Sequence, residues 1–201
     1  MRLLKTIVAG LVITALCAGV AFSAEKAGAK KVKAPEKKET KSESTKKPLR
    51  LINFDNGEIF NDLDSGVKAS LAEGKGKGGK AACKLVFKEG ECWVTHELKS
   101  KIDWSAYTYF KFHVKSELPA AKTCSFIVAD QDEKDGKDRC SLSFSIKPGE
   151  SDVSIEIAGI ISYNKKAIDL TRIKKFGLFY TNDWKEDDTI YISDIRLEAD
   201  E

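Results

Sequence analysis

A lysine- and glycine-rich stretch, GKGKGGKA at residues 74–81, is the first candidate for chemistry in this sequence. It matches the phosphate-binding pattern G-x-x-x-x-G-K, in which backbone amides and the Lys contact phosphate and a following Ser or Thr contacts magnesium. Ala81 stands where that hydroxyl is required, and the next residues alternate like a strand instead of opening a helix. We therefore predict a turn, not a nucleotide site.

An acidic stretch, DQDEKDGKD at residues 130–138, is the second candidate, because carboxylates at alternating positions can bind calcium. An EF-hand loop also needs Gly at its sixth position and Glu at its twelfth. If Gly136 is the sixth residue, the twelfth is Leu142, which offers no oxygen. We predict a solvated hairpin end, with loose calcium binding as the alternative.

Residues suited to catalysis are few. His96 and His113 are the only histidines, both lie inside strand patterns, and no nucleophile motif such as G-x-S-x-G occurs. A glycosidase would need two carboxylates fixed across a cleft, a separation that no sequence displays. The chain is predicted not to be an enzyme.

Residues 1–24 are typical of a secretory signal peptide. Arg2 and Lys5 precede an apolar run, which ends in small residues where a signal peptidase can cut. Lipidation at Cys17 and an uncleaved membrane anchor are the alternatives. We predict an exported protein, located in the periplasm, at the cell surface or outside the cell, without stable membrane insertion after cleavage.

Residues 25–48 are predicted to be a disordered tether. They hold nine Lys, four Glu and one large apolar residue, Val32, so they cannot bury enough surface to fold. The domain that follows, residues 49–201, has 23 basic and 27 acidic residues, a net charge of −4. The excess basic charge therefore lies in the tether, which has no aromatic residues among its lysines, so no nucleic-acid partner is predicted. The tether is either a spacer or an arm attracted to an anionic envelope polymer or lipid surface.

From residue 49 onward, short apolar runs alternate with period two. The clearest is CSLSFSI at residues 140–146, in which Cys, Leu, Phe and Ile point one way and the three serines the other. KEGE at residues 88–91 and EKDGKD at residues 133–138 have the composition of hairpin tips. About nine such strands predict an all-β fold, a two-sheet antiparallel jelly-roll sandwich.

Four segments carry a family resemblance: DWSAYTYFKFHV, SLSFSIKPGESDVSIEI, IDLTRIKKFGLFYTNDW and TIYISDIRL. In this order they resemble galactose-binding-like β-sandwich domains, the fold of many non-catalytic carbohydrate-binding modules. The resemblance covers residues 49–198. It implies a jelly roll, often with one structural calcium ion, and often a sugar site on a concave face or at loop tips.

The resemblance implies that calcium would bind where the first strand meets the last. Asp55, Glu58 and Asp194 are the oxygen ligands available there. The last strand must also change phase between Ile192 and Ile195, which predicts a β-bulge that redirects Asp194. Alternatively, Asp194 pairs with a basic neighbour or a backbone amide.

Sugar recognition needs a flat apolar surface for the pyranose ring and polar groups for its hydroxyls. Trp184 is the preferred platform, because it lies between charged residues in a predicted loop. Trp93 is predicted to lie in the core. The full candidate set is Trp184, Tyr163, Tyr180 and Tyr109 as platforms, with Asn182 and Asp183 for the hydroxyls.

Four cysteines follow the signal segment, and an even number in an exported protein suggests disulfides. Cys124 and Cys140 lie on successive strands, which leaves Cys83 to pair with Cys92. Buried free thiols are the alternative.

Two functional hypotheses follow. The first is a secreted, non-catalytic domain that holds a polysaccharide or glycan. The second is a cell-envelope structural or protein-interaction domain with no sugar site. Exposure of Trp184 and Tyr163 on a common surface would favour the first, and burial of both would favour the second.

Overall fold

The computed structural model describes residues 46–88, 90–130, 139–160, 168–181 and 183–200. The predicted signal peptide and all but the last three residues of the tether lie outside them. No helix in the described part of the chain is long and apolar enough to span a membrane. The strands there are β1 (Leu49–Arg50), β2 (Asp62–Leu63), β3 (Val67–Ala72), β4 (Ala82–Phe87), β5 (Cys92–Ile102), β6 (Tyr109–Ser116), β7 (Lys122–Ala129), β8 (Arg139–Ile146), β9 (Gly149–Glu156), β10 (Ile173–Tyr180) and β11 (Thr189–Glu198).

The strands form two antiparallel sheets. The six-stranded sheet has the order β3, β4, β11, β6 and β9, with β1 added to β11, and the five-stranded sheet has the order β2, β5, β10, β7 and β8. Nine strands have six or more residues, and β1 and β2 have only two each. The predicted two-sheet antiparallel sandwich is confirmed.

Alternating side chains set the two faces of each strand, as the sequence predicts. In β8, Cys140 and Ile146 are fully buried, whereas Ser141, Ser143 and Ser145 are exposed. Aromatic rings fill the space between the sheets, and the Phe110 and Phe126 rings lie 4.4 Å apart. The core is one continuous cluster that takes side chains from both sheets.

The last strand, β11, contains the predicted bulge. Its register against β6 shifts between Ser193 and Arg196, and Asp194 takes a left-handed backbone conformation with φ of 54°. The GKGKGGKA stretch is a turn, as predicted, around a short 3-10 segment at Lys77–Gly79. The Lys77 amide donates a hydrogen bond of 3.0 Å to Ser193 Oγ, so this turn is attached to the bulge.

The connection at residues 88–91 differs from the prediction. It is not a hairpin tip, because β4 belongs to the six-stranded sheet and β5 to the five-stranded sheet. The chain crosses between layers here, which local composition does not reveal. By contrast, β7 and β8 do form an antiparallel pair. The tip between them, residues 131–138, lies outside the described residues.

Candidate functional site

The outer face of the five-stranded sheet brings together aromatic, polar and charged side chains from several strands. On β5, Cys92, Val94 and Leu98 are buried in the core, so the alternate positions face outward. The strand register aligns the outward positions of β5, β10 and β7 in three rows: Trp93, Phe179 and Ser125; Thr95, Gly177 and Ile127; and Glu97, Lys175 and Ala129.

An aromatic pair forms the first row of this face. The rings of Trp93 and Phe179 lie 4.4 Å apart with an interplanar angle of 39°, and both side chains are half-buried. The prediction that Trp93 lies in the core is therefore wrong. Rings this close pack partly against each other, and the surface that they leave uncovered forms an apolar patch on the sheet.

Beside the aromatic pair, a hollow of about 150 Å³ is lined by Asp62, Trp93, Thr95, Ile127 and Lys175, among others. Lys175 Nζ lies 2.7 Å from Asp62 Oδ2, and Thr95 Oγ1 donates to the same oxygen at 2.7 Å. Hydrogen bonds from Lys175 and Thr95 lower the pKa of Asp62, while its partial burial acts in the opposite direction. The Asp62 carboxylate is therefore held ionised and oriented.

Gly177 lies in the middle row of this face, between Thr95 and Ile127. A Cβ atom there would lie 2.3 Å from Val94 O and 2.6 Å from Thr95 Cα, so no larger residue fits without moving backbone. Because Gly177 has no side chain, the middle row is also lower at this position than the rows on either side of it.

Hydroxyl groups extend the face toward β8. The Oγ atoms of Ser125 and Ser143 lie 3.0 Å apart, and Ser141 and Ser145 are exposed on the same side of β8. At the opposite edge, Lys174 Nζ lies 3.0 Å from Glu97 Oε1. The aromatic pair thus has hydrogen-bonding groups around it.

The sequence-predicted sugar platforms are not brought together. Trp184 and Tyr180 have no exposed surface and pack against Phe87 at 4.5 Å, so neither can contact a ligand, and both predictions are wrong. The loop folds back because Trp184 Nε1 donates a 3.0 Å hydrogen bond to the carbonyl of Thr123. A partly buried hydrogen bond and two ring contacts outweigh the polar neighbours in sequence.

The remaining predicted residues are dispersed. Tyr109 is half-buried on the outer face of the other sheet, with Lys111 Nζ 5.0 Å from its ring centroid. Asp183 is exposed, and its carbonyl accepts a hydrogen bond from Lys122. Tyr163 and Asn182 lie outside the described residues.

Two of the three predicted calcium ligands do lie together. Asp55 and Asp194 line one cavity of about 70 Å³, whereas Glu58 does not line it and accepts a hydrogen bond from the Asn53 amide at 2.8 Å. Asp194 Oδ2 lies 2.5 Å from Arg196 Nη1, which is the basic-neighbour alternative raised from the sequence. No set of three or more potential ligands suited to a metal ion occurs among the described residues. As paired here, these carboxylates do not fit a calcium ion.

The predicted disulfides are not formed. Cys83, Cys92, Cys124 and Cys140 are buried free thiols. Cys83 and Cys92 lie on different sheets, and Cys124 pairs in register with Phe144, four residues along β8 from Cys140. The register of β7 with β8 places Cys124 and Cys140 too far apart along the strands for a bond that needs closely spaced Cα atoms.

Comparison with known proteins shows which solved structures share this fold. No family model and no curated protein matches the chain. Among solved structures, the family 11 carbohydrate-binding module from Clostridium thermocellum, in complex with a β-1,3-1,4-mixed-linked tetrasaccharide, aligns with a TM-score of 0.58 at 17% identity, over 76% of this chain and 95% of that one. The chain has the β-sandwich jelly-roll fold of carbohydrate-binding modules.

Two further structures place this fold in different settings. The family 30 carbohydrate-binding module of a Clostridium thermocellum cellulosomal cellulase aligns with a TM-score of 0.51 at 13% identity, over 78% of this chain and 95% of that one. An exo-β-agarase aligns with a TM-score of 0.61 at 16% identity, over 76% of this chain and 25% of that one. The fold thus occurs both as a separate module and as one part of a larger enzyme chain.

The aromatic pair was detectable in part from the sequence. In CWVTHEL, buried Cys92 and Val94 fix the inward phase, so Trp93 must face outward. In FGLFY, the same argument places Phe179 outward and Tyr180 inward. The alignment of Trp93 with Phe179 was not detectable, because it depends on the pairing of β5 with β10.

Proposed function

We propose that this domain is an exported, non-catalytic carbohydrate-binding module that holds a glycan on the outer face of its five-stranded sheet. The observation that carries the proposal is the half-buried Trp93 and Phe179 ring pair beside the Asp62, Thr95 and Lys175 hydrogen-bonding group. The fold shared with carbohydrate-binding modules supports the class of ligand.

The chemistry of this face suits a sugar. A pyranose ring presents an apolar CH face, which packs on aromatic rings, and a perimeter of hydroxyls that both donate and accept hydrogen bonds. Asp62 supplies an acceptor and Lys175 a donor next to the rings. Because Lys175 neutralises Asp62 and Lys174 neutralises Glu97, the face favours a neutral glycan over a charged one.

The state of Asp62 supports binding without catalysis. A carboxyl group acting as the general acid of a glycosidase needs a raised pKa, so that it carries a proton near neutral pH. The hydrogen bonds from Lys175 and Thr95 lower the pKa of Asp62 instead. Asp62 therefore serves to bind hydroxyls in this proposal, and no residue of the face is assigned to bond cleavage.

Export and tethering complete the proposal. The signal-like residues 1–24 would direct the chain out of the cytoplasm, and the lysine-rich residues 25–48 would give the domain reach. The partner is then a polysaccharide or glycan of the extracytoplasmic space.

Affinity electrophoresis of the purified protein through gels containing mixed-linkage β-glucan, agarose or xylan tests the proposal. We expect retardation by one glycan class and loss of that retardation in Trp93→Ala. Removal of a central aromatic contact costs about 2 kcal/mol of binding free energy, or about a 30-fold weaker Kd. Tyr109→Ala is the matched control, because it removes a half-buried aromatic ring from the other sheet and should keep the retardation.

A folded wild-type protein that no glycan retards would refute the proposal. The result would favour the structural or protein-interaction hypothesis instead. Equal loss of binding in Trp93→Ala and Tyr109→Ala would show that the glycan does not bind at the aromatic pair.

A further inference from the structure

The junction between the start and the end of the domain combines backbone pairing with a cluster of charged side chains. β1 pairs with β11, and the Leu51 amide donates to the Ile195 carbonyl at 2.9 Å, directly beside the bulge at Asp194. In domains that resemble this one, a structural calcium ion is often bound at this junction. The side chains around the bulge therefore indicate which groups take the role of that ion in this domain.

Each carboxylate at the junction already has a cationic partner. Arg196 Nη1 lies 2.5 Å from Asp194 Oδ2, and Arg50 Nη1 lies 3.4 Å from Asp55 Oδ2. The other Asp55 oxygen accepts the Ala81 amide at 3.1 Å, and Arg196 Nε also contacts Glu198 at 3.0 Å. Arg50 thus neutralises the segment that follows β1, and Arg196 neutralises carboxylates on both sides of itself along β11.

The cavity between Asp55 and Asp194 is a poor place for a dication. Three of its lining side chains are basic, Arg50, Lys77 and Lys80, against the two carboxylates. Calcium needs six to eight oxygen ligands, whereas here it would meet fixed positive charges and displace two guanidinium groups from their carboxylates.

We propose that Arg50 and Arg196 replace a structural calcium ion in this domain, so that its fold is independent of calcium. The guanidinium groups neutralise Asp55 and Asp194 in place of the metal, while backbone pairing joins β1 to β11. Because the cations are covalently part of the chain, no change in calcium concentration outside the cell alters the fold.

Thermal unfolding of the full chain in millimolar calcium chloride and in EGTA tests this proposal. We expect the wild-type midpoint to be the same in both. In the Arg50→Gln and Arg196→Gln double variant, two carboxylates lose their cationic partners and two amide oxygens become available, so calcium should raise the midpoint. Lys111→Gln, which loses an ion pair to Glu198 outside the cavity, is the matched control and should stay insensitive to calcium.

A calcium-dependent rise in the wild-type midpoint would overturn the proposal, as would a folded double variant that does not respond to calcium. If the double variant does not fold, equilibrium dialysis of the wild-type chain against calcium gives the answer. No bound calcium supports the proposal, and one ion per chain overturns it.

Discussion

The hydroxyl group of Tyr180 is predicted to destabilise the fold. The side chain has no exposed surface, and its oxygen has no hydrogen-bond partner among the described residues. Burial raises the pKa of Tyr180 well above its ordinary value, and the nearby Cys124 and Cys92 thiols act in the same direction. The ring itself packs well, at 4.5 Å from Phe87 and 4.6 Å from Trp184.

Tyr180→Phe keeps these ring contacts and removes only the unpaired polar group. An unsatisfied buried hydroxyl costs about 1–3 kcal/mol. We therefore expect the free energy of unfolding to rise by about 1 kcal/mol, which corresponds to a midpoint higher by about 2–4 °C for a domain of this size.

Urea unfolding followed by tryptophan fluorescence measures this change, with Tyr191→Phe as the matched control. The Tyr191 hydroxyl donates to Glu117 Oε1 at 3.1 Å, so its removal should lower the free energy of unfolding by about 1 kcal/mol. If Tyr180→Phe destabilises the domain as much as Tyr191→Phe, the Tyr180 hydroxyl is hydrogen-bonded and the reasoning is refuted.

Three further results are expected. In the native protein the four core thiols of Cys83, Cys92, Cys124 and Cys140 should react slowly with iodoacetamide at pH 8, because burial raises their pKa values. All four should react in guanidinium. Rapid labelling of the native protein, or a disulfide found by peptide mapping, would contradict the structure. Gly177→Ala should lower the free energy of unfolding by about 1–3 kcal/mol or more, since its Cβ would lie 2.3 Å from Val94 O; an unchanged urea midpoint would show that β10 can move away from β5. The folded pKa of Asp62 lies below its ordinary value of 3.8, so its ionised form stabilises the fold above that pH, and this contribution is lost as pH falls through the folded pKa. The melting midpoint of Asp62→Asn should therefore fall less steeply than that of the wild type below pH of about 4, and parallel curves would refute the assignment.

Local alternation of apolar and polar residues predicted most of the fold. It identified the nine longer strands as a class, the inward faces of β4, β6 and β8, and the bulge near Asp194 from a phase change within one strand. These features depend on which face of its strand each side chain points to. Successive residues of a strand point to opposite faces, so the sequence of the strand is enough to assign them. They can therefore be predicted from the sequence of each strand alone, without knowledge of its partner strands.

The alternation of apolar and polar residues could not predict which residues make up the candidate site. Trp184 lies among polar residues and was expected outside, yet ring contacts with Phe87 and Tyr180 bury it completely. Its burial depends largely on Phe87 and Thr123, which are distant in sequence, so the polarity of its neighbours is not informative. Trp93 was expected inside, although its strand phase places it outside.

The sequence by itself determined that this chain forms an antiparallel sandwich with a bulge that places Asp194 at the end of the domain. Only the tertiary structure decided which strands share a sheet, and therefore that Trp93 lies beside Phe179 and that Cys83 and Cys92 lie in different layers. It also decided that Arg50 and Arg196 neutralise the carboxylates at the bulge. The physical reason is that strand phase follows from neighbouring residues, whereas strand order follows from the packing of the whole core.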